Sequence, residues 1–489
     1  MGIIKSQSFK NTIITYIGFG IGAINVLFLF TKFLPNDYHG LVAFVLSTAN
    51  IMMPLFALGV HNAIIKFYSS FKTRNSINSF LTLMLILPLI VIIPIGLIGY
   101  MSFDFIASLL SAKNEIIESY IGLIFVAAIC FSYFEVFYSW AKVQMQSVFG
   151  NFMKEVFHRI GVFFLFVFIY FEWLSVNQFI YGVVIVYIIR TVIMMLYAFS
   201  IKRPVIKFKE IPNLSSIIKY TLLIIIAGSV ANIILEIDKF MIGQYIQIDK
   251  VAFYGVAIYI ATVIGVPARS MHQITNPVTA ALLNSKDTKA LEILYKKSSL
   301  NLFIISGFIF LLIVLNINVL YKIIPPEFSG GLLVVFLVGV AKLSDNLIGN
   351  NNAILFNSDY YRVVLLLGAL LAIIAVVLNI ILIPKYGING AAFATFISIL
   401  AYNIAKVIFV YVKFKMLPFT INTLKTLVLI LVIIAIFYFW EFSFHPIVNI
   451  GLKSIIVGLC YGLVVYFLNL SEDITALINK FFNINYRGQ

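Results

Sequence analysis

The stretch LNIILIPKYGINGAAFATFIS, residues 378–398, decides how this chain is interpreted. An apolar run ends at Pro384, and a second apolar run begins a few residues later, at Gly390. Pro384 cannot continue a helical hydrogen-bond ladder, and Gly387 permits a backbone turn that most residues cannot adopt. The small residues after Gly390 let another backbone approach closely, which is how helices associate in lipid. The stretch therefore predicts a tight outside hairpin between two antiparallel membrane helices.

The composition of the chain is that of a membrane protein. Of its 489 residues, 62% are hydrophobic and 11% are charged, whereas soluble domains are about half apolar and about a quarter charged. Apolar runs of about eighteen residues or more, each long enough to cross a bilayer as a helix, recur from end to end. We therefore predict an all-α polytopic membrane protein with about 14 transmembrane helices. The candidate spans are residues 12–34, 42–65, 80–101, 119–140, 156–174, 178–201, 217–242, 251–275, 299–320, 331–356, 361–383, 388–412, 420–440 and 447–469.

Several local features refine this picture of the spans. The tenth span, 331–356, has the weakest apolar pattern, because two charged residues and three consecutive asparagines interrupt it. The first span lacks a small-residue cleavage site and is interpreted as a retained anchor. Both cysteines fall inside apolar spans, so packing is their default role and no disulfide, metal site or cofactor is predicted. Trp140, Trp173 and Trp440 fall at the ends of spans, where aromatic rings favour the membrane interface.

The distribution of charge predicts the orientation of the chain. If the N-terminus is inside, the even-numbered loops are cytoplasmic, and they are rich in bases, whereas the opposite loops hold mainly acids, as the positive-inside rule expects. These bases are Lys66, Lys72, Arg74, Lys142, Lys154, Arg159, Lys202, Arg203, Lys207, Lys209, Lys286, Lys289, Lys296, Lys297, Arg362, Lys413 and Lys415. We therefore predict that both termini are cytoplasmic, and that the net charge of +15 reflects topology and not a nucleic-acid partner. The bias towards Ile, Asn, Lys and Phe favours a bacterial source, and hence the bacterial cytoplasmic membrane.

A weak internal repeat divides the chain. Residues 36–43 (NDYHGLVA) and 248–255 (IDKVAFYG) are short predicted outside loops that lead into helices, and they lie 212 residues apart. An offset of six helices gives both halves the same orientation, a repeat class known in secondary transporters. We predict two six-helix bundles around a central cleft, plus two extra C-terminal helices. The predicted domains are an N-terminal bundle at 1–201, a cytoplasmic basic linker at 202–216, a C-terminal bundle at 217–415, and two additional helices with a cytoplasmic tail at 416–489.

Three stretches resemble one known family. The pattern Ile-Pro-x-Tyr-Gly-Ile-x-Gly-Ala-Ala-x-Ala-Thr at 383–395, after Asn379, is similar to the hallmark of polysaccharide exporters and O-antigen flippases in the multidrug/oligosaccharidyl-lipid/polysaccharide exporter superfamily. The preceding ILFNSDYYR, 354–362, resembles the polar inner loop of that family. Asp-Lys-x-Met-Ile-Gly at 238–243, followed by Ala-Phe-Tyr at 252–254, resembles its seventh-to-eighth helix junction. The usual Phe-Gly after the first helix is His-Gly here.

This resemblance implies a transport function. Members of the family are flippases that move polyprenyl-diphosphate-linked oligosaccharides, such as O-antigen, capsule or exopolysaccharide repeat units, from the cytoplasmic to the outer leaflet. The lipid II flippases among its relatives carry basic residues in the first helix. This chain has none between Asn11 and Thr31, which disfavours lipid II as the substrate.

Bases at membrane depth are the candidates for substrate binding, because a buried charge in a membrane is a functional hypothesis by default. A lipid-linked diphosphate needs Arg or Lys in the cavity that carries it, and Arg binds phosphate bidentately. Arg190 lies midway along the sixth span, Arg269 towards the cytoplasmic end of the eighth, and Lys342 in the tenth. Packing against a neighbouring helix is the alternative interpretation for Arg190, and snorkelling to the interface for Arg269.

Four acids are the candidates for ion coupling. Asp345 lies three residues after Lys342 on one helical face, so mutual neutralisation is the competing interpretation. Glu135 is an isolated acid among aromatic residues, with Lys142 or a base from another helix as its expected partner. Asp238 and Glu236 lie near the outer end of the seventh span, where a solvated helix end would also explain them.

The leading functional hypothesis is a flippase for a lipid-linked oligosaccharide that works by alternating access between the two halves. The chain contains no Gly-x-x-x-x-Gly-Lys-Ser/Thr loop, so H+, Na+ or another gradient is favoured over ATP as the energy source. The alternative within the same fold is a cation-coupled multidrug exporter. A membrane enzyme such as a polysaccharide polymerase is less favoured because no loop exceeds roughly twenty residues, and such a polymerase is instead a candidate partner.

Overall fold

The computed structural model describes residues 2–207 and 211–481, and their side chains except those at 2–6, 8–9, 223, 226–235 and 481. The predicted linker and tail fall partly on 208–210 and 482–489, which with Lys209 lie outside the described residues. Within the described ranges the regular structure is helical, without a β-strand. The α-helices are α1 Gly2–Ala23, α2 Phe30–Phe33, α3 Asn36–Ala57, α4 Val60–Phe67, α5 Arg74–Met101, α6 Phe103–Ser111, α7 Ile121–Lys142, α8 Val148–Phe152, α9 His158–Tyr170, α10 Val176–Ile201, α11 Leu214–Tyr245, α12 Asp249–Thr262, α13 Val266–Asn284, α14 Thr288–Leu320, α15 Leu332–Leu347, α16 Asn351–Phe356, α17 Tyr361–Phe414, α18 Ile421–Phe437, α19 Pro446–Phe467 and α20 Glu472–Phe481.

The helices confirm an all-α polytopic membrane protein. Among the described residues, 10 helical stretches are long and apolar enough to cross a membrane, and α18 is a shorter apolar helix. Each candidate span predicted from the sequence falls on one or more of these helices, and the largest difference in bounds is at α14, which begins at Thr288 and not at 299. Two π-helical segments, Ile24–Leu29 and Met153–Phe157, join α1 to α2 and α8 to α9.

Three of the spans are interrupted. Between α3 and α4 the chain passes through Leu58 and Gly59 with φ of 49° and 65°, and between α15 and α16 it passes through Gly349 with φ of 55°. A 3₁₀ turn, Val263–Gly265, separates α12 from α13. Non-helical backbone at membrane depth is tolerated only where protein or a water-filled cavity satisfies it. The sequence indicated the interruption of the tenth span, and Pro267 and Pro277 predicted a bend in the eighth, but nothing in it indicated the interruption of the second.

The stretch 378–398 turns inside α17. The chain leaves helical geometry at Gly387, where φ is 57° and ψ is −136°. The backbone of Leu382 lies directly against Gly390, where a Cβ atom would clash with it. The sharp turn agrees with the predicted hairpin, but the prediction that Pro384 ends the helix is wrong. The helix continues three residues further, because the reversal needs a positive φ, which glycine adopts and proline cannot.

Side-chain caps fix the starts of several helices. Ser175 and Gln178 form a reciprocal capping box at the start of α10, and Thr420 and Thr423 form another at α18. The Asp287 carboxylate accepts a hydrogen bond from a backbone N–H in the first turn of α14. Such caps satisfy backbone donors that have no partner inside the helix. They therefore determine where these spans begin.

The chain divides into two compact units. Unit 1 comprises Met1–Gly255 and Ala372–Ala391, and unit 2 comprises Val256–Leu371 and Ala392–Gln489. In unit 1 a large apolar core surrounds Trp140, which is buried against protein, and the prediction that this ring lies at the depth of the membrane interface stays a prediction. In unit 2 an apolar core joins residues of α14, α18 and α19. The domain boundaries proposed from the sequence stay a prediction.

Candidate functional site

Unit 2 holds a fully buried lysine at membrane depth, Lys406 on α17. Its side chain is 0% exposed, and its Nζ donates a hydrogen bond to Asn352 Oδ1 at 3.1 Å. The same Nζ lies 3.9 Å from Asp345 Oδ1 and 4.1 Å from the centre of the Tyr402 ring. A buried ammonium group needs a hydrogen-bond acceptor, a counter-charge or a ring face nearby, because water cannot solvate it. Lys406 is thus the centre of a polar site formed by α15, α16 and α17.

Three further bases lie near this Lys406 centre. Lys342 interacts electrostatically with Asp345 and with Arg269, and His272 interacts with Asp345 and Lys406. The structure therefore places two of the predicted substrate-binding residues, Arg269 and Lys342, within electrostatic range of each other, and Lys342 within range of Asp345. With three permanent bases and one acid, the centre carries net positive charge.

The structure changes two sequence-based inferences about this centre. Among the described residues, Asp345 forms its ion pair with Lys406 and not with Lys342, so the predicted i,i+3 neutralisation is not the close pair. Lys406 was not among the residues predicted from the sequence. The signal was available, because a lysine inside the apolar span 388–412 is a functional hypothesis by default.

The broken tenth span explains how Asn352 reaches Lys406. Asn350 donates to Thr279 Oγ1 at 2.8 Å and accepts from Ser298 Oγ at 3.0 Å. Asn351 donates to the Tyr295 hydroxyl at 2.6 Å. These side chains hold the non-helical backbone that follows α15, where a membrane would otherwise leave polar groups unpaired. The asparagine run that weakened the hydropathy signal therefore positions Asn352 as the hydrogen-bond acceptor of the buried Lys406.

Unit 1 contains a second acid among bases, Glu135 on α7. Lys154 Nζ donates to Glu135 Oε1 at 2.5 Å, and the side chains are 43% and 14% exposed respectively. The charges of Lys142 and His61 also act on this carboxylate. The sequence suggested Lys142 or a base from another helix as the partner. The close partner is Lys154, from the π-helical segment Met153–Phe157.

Arg190 on α10 lies near this Glu135 centre, inside an aromatic cage. The guanidinium carbon is 4.1 Å from the centre of the Phe134 ring, 4.7 Å from Tyr187 and 5.5 Å from Phe131. Its charge interacts with Glu135. Arg190 Nε is buried, and no described residue accepts a hydrogen bond from it. Ring faces therefore stabilise the cation while hydrogen-bond donors stay unused.

The two centres correspond along the chain. His61 and His272 are 211 residues apart, Glu135 and Asp345 are 210 apart, and Arg190 and Lys406 are 216 apart. These separations are close to the 212-residue offset of the internal repeat. Each unit thus carries a histidine, an acid and a deeply buried base on matching spans.

Asp238 on α11 forms a separate buried site within unit 1. Its carboxylate accepts hydrogen bonds from the Tyr254 hydroxyl and from Asn379 Nδ2, the latter at 2.7 Å. The residue is fully buried, so the interpretation of Asp238 as part of a solvated helix end is wrong. Glu236 instead pairs with Lys239 at 2.7 Å, and both side chains are partly exposed. Asp238 thus links the two stretches, around 238–254 and 379–395, whose sequences resemble the exporter family.

Comparison with known proteins identifies the class. Residues 5–282, more than half of the chain, match the family described as "Polysaccharide biosynthesis protein". The chain belongs to this family, and the resemblance to polysaccharide exporters and flippases is confirmed. No protein in a search of curated sequences matches the chain.

Solved structures then specify the fold. The chain is similar to "Lipid II flippase MurJ, inward closed conformation", with a TM-score of 0.71 and 15% identity over 94% of this chain and 99% of that one. It is also similar to "Inward-facing conformation of a multidrug resistance MATE family transporter of the MOP superfamily", with a TM-score of 0.60 and 14% identity over 83% and 94%. A third is "Outward-facing conformation of a multidrug resistance MATE family transporter of the MOP superfamily", with a TM-score of 0.56 and 16% identity over 84% and 96%. At these identities the likeness shows a shared fold.

Proposed function

We propose that this protein is a flippase that moves a polyprenyl-diphosphate-linked oligosaccharide across the bacterial cytoplasmic membrane by alternating access, with both termini in the cytoplasm. The observation that carries the proposal is the Lys406 centre, where a fully buried lysine lies 3.9 Å from a half-exposed acid and Lys342 and Arg269 add positive charge nearby. Membership of a family of polysaccharide biosynthesis proteins supports a glycan as the substrate. The likeness to the fold of a flippase supports its translocation across the membrane.

A diphosphate suits the Lys406 centre for electrostatic reasons. Its oxygens would replace the weak contact between Lys406 and Asp345, which are 3.9 Å apart. Arg269 and Lys342 would add charge-assisted hydrogen bonds, which are about twice as strong as neutral ones. Arg190 in unit 1 is proposed as a further anion contact, because its Nε donor has no acceptor among the described residues.

The acids are proposed to couple transport to H+ or Na+. Asp345 and Glu135 each face several bases, so an arriving phosphate would displace a carboxylate and change its affinity for a proton. Asp238, fully buried with two hydrogen-bond donors, and Glu236 nearby are the other candidates. A polysaccharide polymerase on the outer side of the membrane would consume the translocated unit.

A cation-coupled multidrug exporter is the second candidate. The observation in its favour is the similarity to MATE multidrug transporters over most of the chain. An organic cation, however, would meet a site in which bases outnumber acids, and like charges repel in a low dielectric. The two candidates therefore differ in the sign of the ligand charge.

The test is to deplete the protein in its host and to quantify polyprenyl-diphosphate-linked sugars by mass spectrometry. We expect a complete repeat unit to accumulate and to disappear when the wild-type protein is restored. Lys406→Gln should restore export at least about tenfold less well, since it removes a charge-assisted contact of about 1.5–3 kcal/mol.

Lys453→Gln is the matched control. Lys453 is also a buried lysine of unit 2, but it lies on α19 and interacts with Glu441 instead of Asp345. It should restore export like the wild type. An unchanged lipid-linked pool, in cells that make such glycans, together with sensitivity to cationic drugs, would favour the multidrug exporter instead.

A further inference from the structure

Unit 1 contains a cavity of about 130 Å³ at the end of α5 that the charge bias predicts to be cytoplasmic. One wall is a single face of α5 and includes Asn78, Leu81, Thr82 and Leu85. The opposite wall is the non-helical segment 203–206, and the Trp140 side chain contributes a third side. The lining is mainly apolar, with Arg203 among its few charged or polar groups.

Specific hydrogen bonds hold the segment after α10 across α5. The Thr82 hydroxyl donates to the carbonyl of Val205 at 3.1 Å and accepts from the backbone N–H of Lys207 at 3.2 Å. Trp140 Nε1 donates to the carbonyl of Lys202 at 3.2 Å. The cavity is therefore a built feature of the fold, because side chains from α5 and α7 fix the segment that closes it.

The surroundings of the cavity are strongly basic. The sequence runs 66–88 and 196–207 contain six lysines and arginines and no acid. Lys207 and Lys202 donate to neutral partners, the Asn75 side chain at 2.6 Å and the Tyr68 hydroxyl at 3.1 Å, so their charges stay uncompensated. Arg203 is exposed and forms no hydrogen bond or ion pair with a described residue. A guanidinium group at the rim of an apolar cavity is suited to a phosphate that carries a hydrocarbon chain.

We propose that this cavity binds an anionic phospholipid of the membrane, whose phosphate contacts Arg203 and whose acyl chain enters between Leu81, Leu85 and Ile206. A free phosphate ion would leave the apolar walls unused, and a neutral lipid would leave the six bases without counter-charge. Basic pockets between membrane helices on the cytoplasmic side are a recognised mode of lipid recognition. The site is distinct from the Lys406 centre and does not depend on which substrate is transported.

The experiment measures lipid retention by the full-length protein purified in detergent, with native mass spectrometry as the readout. The probes are phosphatidylglycerol, phosphatidylcholine, polyprenyl phosphate and inorganic phosphate. We expect selective retention of phosphatidylglycerol, and a loss of about tenfold in Arg203→Gln, which corresponds to one charge-assisted hydrogen bond. Lys289→Gln, which removes an exposed base of unit 2 on the same predicted side, should retain the lipid.

A second variant tests the acyl chain. Val205→Trp places a large ring in the cavity from an exposed position, so the fold should tolerate it, and it should reduce retention without removing charge. Equal retention by Arg203→Gln and Lys289→Gln would overturn the proposal, and so would full retention by Val205→Trp. Displacement of the lipid by inorganic phosphate alone, or selective retention of polyprenyl phosphate over phosphatidylglycerol, would also contradict an acyl phospholipid as the occupant.

Discussion

Each unit pairs a lysine with an acid, but the two ion pairs cover opposite members. In unit 1 the acid is the covered group, with Glu135 14% and Lys154 43% exposed, and the two are 2.5 Å apart. In unit 2 the base is the covered group, with Lys406 0% and Asp345 45% exposed, and the two are 3.9 Å apart. A close ion pair therefore stabilises the buried charge of unit 1. An amide oxygen, a ring face and a more distant acid stabilise that of unit 2.

This difference indicates that the ion pairs of the two centres differ in how easily they open. A buried carboxylate with a close partner is expensive to disturb, because removal of the base leaves an uncompensated charge. A base whose half-exposed acid lies 3.9 Å away can exchange that acid for another anion at small cost. The ion pair of the Glu135 centre is thus the more costly of the two to open, and the Lys406 centre is the better suited to exchange its acid for a ligand.

The largest expected effect follows from removal of the buried acid in unit 1. Glu135→Gln should reduce the free energy of unfolding by about 3 kcal/mol, because several bases lose their shared counter-charge. Thermal unfolding of the purified protein in detergent measures this loss. The double variant Glu135→Gln with Lys154→Met should recover part of it. A single variant as stable as the wild type would show that Glu135 does not have this structural role.

An intermediate effect is expected at two of the three interrupted spans, the second and the tenth. Gly349→Ala places a Cβ atom 2.6 Å from the backbone nitrogen of Ser299 at φ of 55°, and Gly59→Ala places one 2.6 Å from the Thr221 carbonyl at φ of 65°. Each should destabilise by about 2 kcal/mol, the cost of strain in the left-handed region. Gly122→Ala on α7, with nothing within 4 Å, is the control and should be neutral or slightly stabilising. Equal melting temperatures for all three variants would contradict this account.

The smallest effect on stability is expected in unit 2. Asp345→Asn should change the free energy of unfolding by less than about 1 kcal/mol, because Asp345 is 45% exposed and 3.9 Å from Lys406, whose hydrogen bond to Asn352 remains. Lys406→Met should be neutral or stabilising, because an apolar side chain of similar length needs no counter-charge. Lys406→Met should nevertheless fail to restore export in depleted cells. If it restored export fully, the Lys406 centre would not be the substrate site.

Much of the fold could be predicted from the sequence, because hydropathy over a window of about twenty residues reports the presence of a span. Hydropathy could not predict the break at Leu58 and Gly59, since an average over a window is insensitive to the φ angles of two residues. Nor could it place Trp140 in a core, because an interfacial and a buried ring have the same position at the end of a span. Such properties depend on the neighbours of a helix.

The candidate sites could likewise be predicted only in part: the residues could be named, but not their partners. Arg269, Lys342 and Asp345 were predicted one by one from the rule that charges in a membrane are functional, and the structure brings them together. The partner of Asp345 could not be predicted, because Lys406 lies on another helix and only the rotation of both helices sets the distance. The ion-coupling roles of Glu135, Asp238 and Glu236 stay predictions, since geometry alone does not show which ion binds.

The turn at Gly387 bears on how the chain enters the membrane during synthesis. Only Gly387 departs from helical geometry between the two spans of Tyr361–Phe414, so no polar loop separates them. A translocating channel would have to release them together, as a helical hairpin. Insertion of a lysine into a lone span is unfavourable, by at most about 3 kcal/mol when it lies at the centre of the span. The span that contains Lys406 would therefore enter the membrane together with the apolar span before it. The favourable insertion of that apolar span would offset the free-energy cost of the Lys406 charge before the Lys406 centre forms.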